Sequence, residues 1–242
     1  LDKLSYCSSL ESINQLIKDR HIDSKRHNLI NIDLESIKNT HESLKIADPD
    51  IIFHLAAETH VDRSIKDASE FIKSNIIGTY NLLEWANNHY KNLEPKRKKN
   101  FKLMHISTDE VFGSVEGTNK FNEDSKYQPN SPYSASKASS DHLVRAWYET
   151  YGLPSIITNC SNNYGPWQYP EKLIPVIILN ALKGETIPIY GDGKNIRDWI
   201  HVDDHVKGLI QVSISGEIGE TYCLGGSNEI NNLDLANMIC EK

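Results

Sequence analysis

The sequence predicts an α/β fold built on a doubly wound parallel sheet, and three observations predict it. Apolar runs of strand length alternate with longer stretches of helical periodicity along the whole chain. The residues able to do chemistry fall just after the ends of those runs, where sheets of this kind take ligands. With 242 residues, 38% hydrophobic and 24% charged, the chain is large enough for a full core.

Taken in order, strands are predicted over residues 28–32, 51–55, 101–106, 155–158, 187–190 and 221–224. Each is a short run rich in apolar residues, too brief for a helix of ordinary length. Between them, helical patterns cover residues 10–18, 37–44, 71–90, 136–151, 173–183 and 204–213. Parallel strands require such crossover helices. The basic run Lys96-Arg97-Lys98-Lys99 follows Pro95 and precedes a strand, so it reads as a solvated loop. Leu1-Asp2-Lys3 has the character of a strand exit whose body is absent. A dinucleotide fold places G-x-G-x-x-G after its first strand and an acid about 20 residues on, for the adenosine ribose. Only the acid, Asp2, is present, so the first strand and the Gly-rich loop are read as missing. That strand is central in such sheets, and these residues alone are expected to fold poorly and hold a dinucleotide weakly.

Composition narrows the function. A formal net charge of −7 offers no basic footprint for nucleic acid or an anionic membrane. No run approaches the roughly 18 apolar residues of a membrane span, and no signal-peptide order opens the chain. The four cysteines, Cys7, Cys160, Cys223 and Cys240, lack C-x-x-C spacing, and the ten histidines form no cluster with them. No metal, reduced thiols and a cytoplasmic setting are therefore expected.

The strongest chemical signal is Tyr133-Ser-Ala-Ser-Lys137. Residues at i and i+4 share a helix face, so an ammonium there can lower the pKa of the phenol. Alone the spacing is weak, since two surface residues produce it by chance. Context strengthens it: Ser-Pro-Tyr opens a helix roughly 25 residues after an apolar strand, as a βαβ site requires. That strand runs into Ser107-Thr108-Asp109-Glu110. Two adjacent carboxyls at a strand exit should titrate as a coupled pair, one keeping its proton. Such a pair supplies a general acid and a general base, the requirement for eliminating water.

The runs His54-Leu-Ala-Ala-Glu-Thr-His-Val-Asp-Arg-Ser64, Ser107-Thr-Asp-Glu-Val111, Ser131-Pro-Tyr-Ser-Ala-Ser-Lys-Ala-Ser-Ser-Asp141 and Asn159-Cys-Ser-Asn-Asn-Tyr-Gly-Pro166 resemble the dTDP-glucose 4,6-dehydratase family. This is a branch of the extended short-chain dehydrogenases/reductases, which are Rossmann-like. The resemblance covers essentially the whole chain, and Thr-Asp-Glu separates dehydratases from 4-epimerases. It implies an NAD-binding part over 1–160, lacking its first β-α unit. It also implies a smaller, mainly substrate-binding part over 161–242, with segments returning to the main sheet, incomplete at its C-terminus.

The resemblance implies an internal redox cycle on dTDP-glucose with tightly held NAD. Tyr133 acts as base in the oxidation at C4, Glu110 takes the C5 proton and Asp109 protonates the leaving C6 hydroxyl. Thr108 binds the C4 hydroxyl, and Lys137 holds the nicotinamide ribose and tunes Tyr133. Cofactor contacts carried over are Asp2, Lys3, Leu4, Ser5, Asp33, Leu34, Leu55, Ala56, Ala57, Ser74 and Asn163. Ser5 and Ser74 stand where the family commonly has Thr. Substrate contacts are Glu58, Thr59, Asn162, Lys172, Leu173, Pro188, Ile189, Tyr190, Arg197 for the pyrophosphate, and Asn232. A charged loop is the plainer reading of Asp2 and Lys3, and a salt bridge to Asp198 that of Arg197. A homodimer through the helices at 71–90 and 136–151 is implied as well. UDP- or CDP-glucose dehydratases, a 4-epimerase and a non-catalytic dinucleotide-binding protein are the alternatives.

Overall fold

The computed structural model describes residues 1–114 and 120–242. In chain order the elements are α1 (Leu10–Asp19), α2 (Ile37–Ala47), β1 (Ile51–His54), α3 (Val61–Lys66), α4 (Ser69–Phe71), a π-helical turn (Ile72–Ile77), α5 (Gly78–Asn92) and α6 (Pro95–Lys98). There follow β2 (Lys102–Thr108), a 3-10 turn (Asp109–Phe112), α7 (Pro132–Tyr151), β3 (Ser155–Cys160), β4 (Asn162–Tyr164) and α8 (Leu173–Lys183). Last come β5 (Ile196–His201), α9 (Val202–Ser215), β6 (Thr221–Leu224), β7 (Glu229–Asn231) and α10 (Asn232–Cys240). The α/β class read from the alternation holds. Two compact units emerge, Leu1–Asn159 with Val212–Cys223, and Cys160–Gln211 with Leu224–Lys242. Among the described residues no helix is long and apolar enough to cross a membrane.

The main sheet has the order β1-β2-β3-β6, with β1 and β2 parallel from Ile51 opposite Lys102 to His54 opposite His105. After its first residue β2 is buried throughout, as expected of a central strand covered on both faces. Leu82, Leu83 and Ala86 of α5 and Val144 of α7 pack with Leu103, Ile52, Phe101 and Ile157 into its core. In the other unit β5 pairs parallel with β4 and antiparallel with β7, and α8 packs on α10.

Several elements depart from expectation, each for a physical reason. Residues 28–32 form no strand: one parallel bridge joins Asp2 to Asn31, through Asp2 N to Ile30 O (3.2 Å) and Ile32 N to Asp2 O (3.1 Å). Residues 187–190 form no strand, and Pro188 has no N–H to give a ladder. The strand of that region is β5, whose polar Arg197 and Asp198 hide its character; β4 and β7 are too short to show a period. The basic run at 96–99 is mostly helix, because Pro95 takes the first helical position, where a proline is favoured. Arg97 is anchored rather than merely solvated, donating to Asp50 Oδ1 at 2.6 Å and Asp48 Oδ2 at 2.9 Å.

The single helix expected over 71–90 is interrupted by the π turn, which holds the buried Asn75. Beyond it Gly78 faces Leu34, where an added Cβ would lie 3.1 Å from Leu34 Cβ. Asn81 donates to the carbonyls of Leu34 and Glu35 at 2.8 and 3.0 Å, so α5 holds the chain that follows Asp33.

Two histidines lie inside this unit. His54 Nε2 is 2.8 Å from Thr79 Oγ1, and its ring centroid is 5.2 Å from that of His105. Burial, then the neighbouring His105 and Lys137, hold His54 well below the usual histidine range of 6.5. Burial and Lys137 lower His105 too, against the pull of Asp141. The folded rings thus take up protons at lower pH than the unfolded chain, which protonates them near 6.5, so stability present above that pH is lost as pH falls below it. His54→Gln should remove up to ~1.4 kcal/mol per pH unit from the acid slope of unfolding free energy. Urea titrations at several pH values check this; an unchanged slope would mean that His54 is not buried neutral.

Candidate active site

The reactive end of β2 takes its shape from the 3-10 turn after it. Thr108 caps that turn, accepting from Glu110 N at 3.2 Å and donating from Oγ1 to Asp109 Oδ1 at 3.3 Å. Val111 and Phe112 are buried directly behind, Phe112 against Phe121 and Tyr127 with ring centroids 5.2 and 5.3 Å away. Gly113 closes the turn at φ 87°, where an added Cβ would meet Gln128 O at 2.3 Å. The two half-buried carboxyls are thus fixed by an apolar anchor. Nearby, burial and then the charges of Glu123 and Asp109 push the Cys223 thiol up to about 12.

The helix α7 starts where its cap dictates. Ser131 and Ser134 form a reciprocal capping box around Pro132, and Tyr133 N donates to Ser64 Oγ of α3 at 3.1 Å. The ring of Tyr133 is buried edge-on to Phe71. One turn later the buried Lys137 ammonium donates to Ile106 O of β2 at 2.9 Å. Tyr133, Lys137 and Asp141 follow one another on one face of α7.

A cavity of about 170 Å³ opens in the same unit. Asp2, Lys3, Ser5, Asp33, Leu34, Leu55, Ala56, Ala57 and Ser74 line it, together with Leu1, Cys7, Ser8 and Ile32, which sequence reasoning did not single out. Leu4 lies between two lining residues at φ 50°, its N–H donating to Asp2 Oδ1 at 2.6 Å. Lys3 reaches Ser74 Oγ at 2.9 Å and Glu58 Oε1 at 2.6 Å. Burial pulls its ammonium down, but the hydrogen bond and charge of Glu58, with Asp33 and Glu70 beyond, carry it above the ordinary lysine range. Glu58, expected at the substrate, is therefore paired beside this cavity, and Thr59 is exposed next to it.

Asn75 was also missed. Its side chain takes both backbone groups of Glu58, accepting from N at 2.8 Å and donating to O at 3.0 Å, and it donates to Ser136 Oγ of α7 at 2.8 Å. A polar residue inside a helical pattern gave no signal, because its role depends on the π turn.

In the second unit, Asn163 Oδ1 meets His205 Nδ1 at 2.8 Å, and the Oδ1 atoms of Asn162 and Asn232 are buried with no protein partner. Lys172 precedes α8, and Leu173 begins it. Ile189 packs at Gly193, whose carbonyl accepts from Leu233 N at 3.1 Å; Asn232 N donates to Asn195 O at the same distance. Pro188, Ile189 and Tyr190 thus lead into the turn that Asn232 and Leu233 bind through their backbone, and Arg197 follows on β5 opposite Ile230. Tyr190 and Arg197 are exposed. Asp198 does not stand as a simple ion-pair partner for Arg197: its carboxylate accepts from Gly226 N and Asn228 N, both at 2.7 Å. Burial opposes its ionisation, yet these bonds hold it below the usual carboxylate range.

The model of the GDP-mannose 4,6-dehydratase family matches residues 1–242. The chain belongs to that family. Among curated relatives it is 51% identical to the dTDP-glucose 4,6-dehydratase of Neisseria meningitidis serogroup B, over 99% of this chain and 66% of the relative. Among solved structures, the double mutant of the dTDP-glucose 4,6-dehydratase DesIV from Streptomyces venezuelae, with NAD and DAU bound, is 40% identical. It superposes with a TM-score of 0.84 over 94% of this chain and 67% of that one. The UDP-glucuronic acid 4-epimerase of Bacillus cereus is more distant, at 28% identity and a TM-score of 0.81, over 94% of this chain and 69% of that one. The chain spans about two thirds of the length of the curated family members it matches.

Replacing Asn75 by Leu should strand two backbone groups of Glu58 and cost ~3 kcal/mol of stability. The expected readout is a lower urea midpoint at unchanged slope. An unmoved midpoint would show that water serves Glu58 equally well.

Proposed function

We propose that this chain carries the reacting residues of a dTDP-glucose 4,6-dehydratase, which converts dTDP-glucose to dTDP-4-keto-6-deoxyglucose. The observation that carries this reading is the Asp109-Glu110 pair on its anchored turn, at the exit of the strand that Lys137 of α7 holds by hydrogen bond. The 51% identity to a dTDP-glucose 4,6-dehydratase supports the substrate. The match to the GDP-mannose 4,6-dehydratase family makes GDP-mannose the second candidate.

The cavity residues fit NAD: Asp2 and Asp33 offer carboxylates for hydroxyl and amino donors, and Ala56 and Ala57 leave room for close approach. NAD bound there would supply the acceptor and later the donor of a hydride. Tyr133 takes the proton of the C4 hydroxyl, which Thr108 also holds, as C4 is oxidised. The new ketone acidifies C5–H, whose proton passes to Glu110. Asp109 gives its proton to the C6 oxygen, which departs as water, and C6 is then reduced. Arg197 suits the pyrophosphate through its planar fork, and Tyr190 offers an exposed ring to the base. A homodimer in the cytoplasm completes the reading; exposed Ile77, Tyr80 and Tyr151 on the central helices supply apolar surface for a second copy.

Assays of the intact protein with dTDP-, UDP- and CDP-glucose and GDP-mannose, following the alkali-induced absorbance of the 4-keto-6-deoxy product, test this. Preferred turnover of dTDP-glucose is expected; preference for another sugar nucleotide would keep the chemistry and move the substrate. The double substitution Asp109→Asn, Glu110→Gln should spare the initial oxidation, seen as reduced nicotinamide absorbance, while product formation drops ~10²- to 10⁴-fold. Tyr133→Phe should slow the oxidation itself. Product at the wild-type rate in the double variant would remove the acid and base assignment.

A further inference from the structure

Asp141 lies one turn beyond Lys137 on α7 and is 1% exposed. Such burial is tolerable for a carboxylate only if hydrogen bonds replace its water. Its Oδ1 accepts from His105 Nε2 at 3.0 Å, and its Oδ2 from Ser107 Oγ at 2.8 Å, Tyr127 Oη at 2.9 Å and Asn159 Nδ2 at 3.5 Å. Burial and then the charge of Asp141 raise the Tyr127 phenol far above its ordinary range, so it remains a neutral donor.

These donors come from separate segments. His105 and Ser107 are alternate residues of β2 and so share a face. The amide of Asn159, near the end of β3, also donates to Thr108 O at 3.1 Å. With Lys137 on Ile106 O, each of the four last residues of β2 is tied to α7 or to Asn159. The helix, by contrast, is fixed on its own account by its capping box and by Ser64. The β1 ladder reaches only as far as His105, and the side-chain anchors of the strand exit beyond it come from α7 and Asn159.

We infer that Asp141 is a positioning residue, setting where Thr108, Asp109 and Glu110 stand relative to Tyr133 and Lys137. The inference rests on the dehydratase reading above and gives Asp141 no contact with reacting atoms. Losing its bonds frees the strand exit while leaving Tyr133 and Lys137 on a helix with its own supports, so elimination suffers before oxidation. A carboxylate that served only the core would lower stability and leave the balance between the two steps untouched.

Asp141→Ala, assayed per folded molecule in the intact protein, should lower kcat for product about a hundredfold, the scale expected when reacting groups are misplaced by an ångström. KM should stay within about threefold, and reduced nicotinamide should still form at close to the wild-type rate. Asp141→Asn should recover much of the loss, because His105 can change tautomer and accept from the new amide. If Asp141→Ala does not fold, Ser107→Ala, which removes one of these bonds from the strand side, should show the same selective loss at about a tenth of the size. Equal slowing of both steps, or a lower urea midpoint with unchanged rates, would overturn the inference while wild-type turnover kept the dehydratase reading intact. A wild-type protein that makes no 4-keto-6-deoxy product from any of the four sugar nucleotides would end that reading and this inference together.

Discussion

The buried polar seam between β2 and α7 is the constraint on which the rest of the reactive unit depends. A strand covered on both faces has to satisfy every polar side chain it buries, and β2 buries His105, Ser107 and Thr108 in succession. Because their partners are few and fixed, the register of the strand against the helix is fixed as well. An apolar seam would fill the same volume but would permit small slips along the strand. Directional bonds do not, and the turn bearing Asp109 and Glu110 inherits that definition.

A second set of bonds does similar work for the cavity. The chain after β1 would be an irregular segment with loose backbone, but Asn75 occupies both the donor and the acceptor of Glu58. Lys3 then draws the side chain of that residue toward Ser74. Small residues at 56 and 57 leave space, while charge and hydrogen bonding keep the wall in place. Both the cavity and the reactive turn are thus referred to α7, one through Ser136 and the other through Lys137 and Asp141.

Much of this was legible in the sequence. The strands beginning near residues 51, 101, 155 and 221 and most of the helices announced themselves by apolar period, and the strand-exit carboxyls by their place in it. What escaped notice shares a cause. The strand β5 carries Arg197 and Asp198, and the short helix α6 is made of Pro95 and basic residues, so their stability comes from partners distant in sequence rather than from local pattern. Asn75, Asp141 and Asn159 are polar residues in otherwise ordinary stretches, and only the fold reveals that their neighbours need them. The pairing of Glu58 with Lys3 was invisible for the same reason, since the two stand more than fifty residues apart.

The π turn at Ile72–Ile77 carries a consequence for how this chain tolerates length changes. A turn of this kind is in effect one extra residue accommodated within a helix. Deleting a residue there would let a regular helix close with the downstream faces nearly unchanged, because the bulge already absorbs the turn of about 100° that one residue adds. Gly78 and Asn81 would still face Leu34, whereas Asn75, inside the bulge, would lose its line to Glu58. The cost of shortening the segment would therefore fall on the wall of the cavity and spare the packing of α5 against the chain after Asp33.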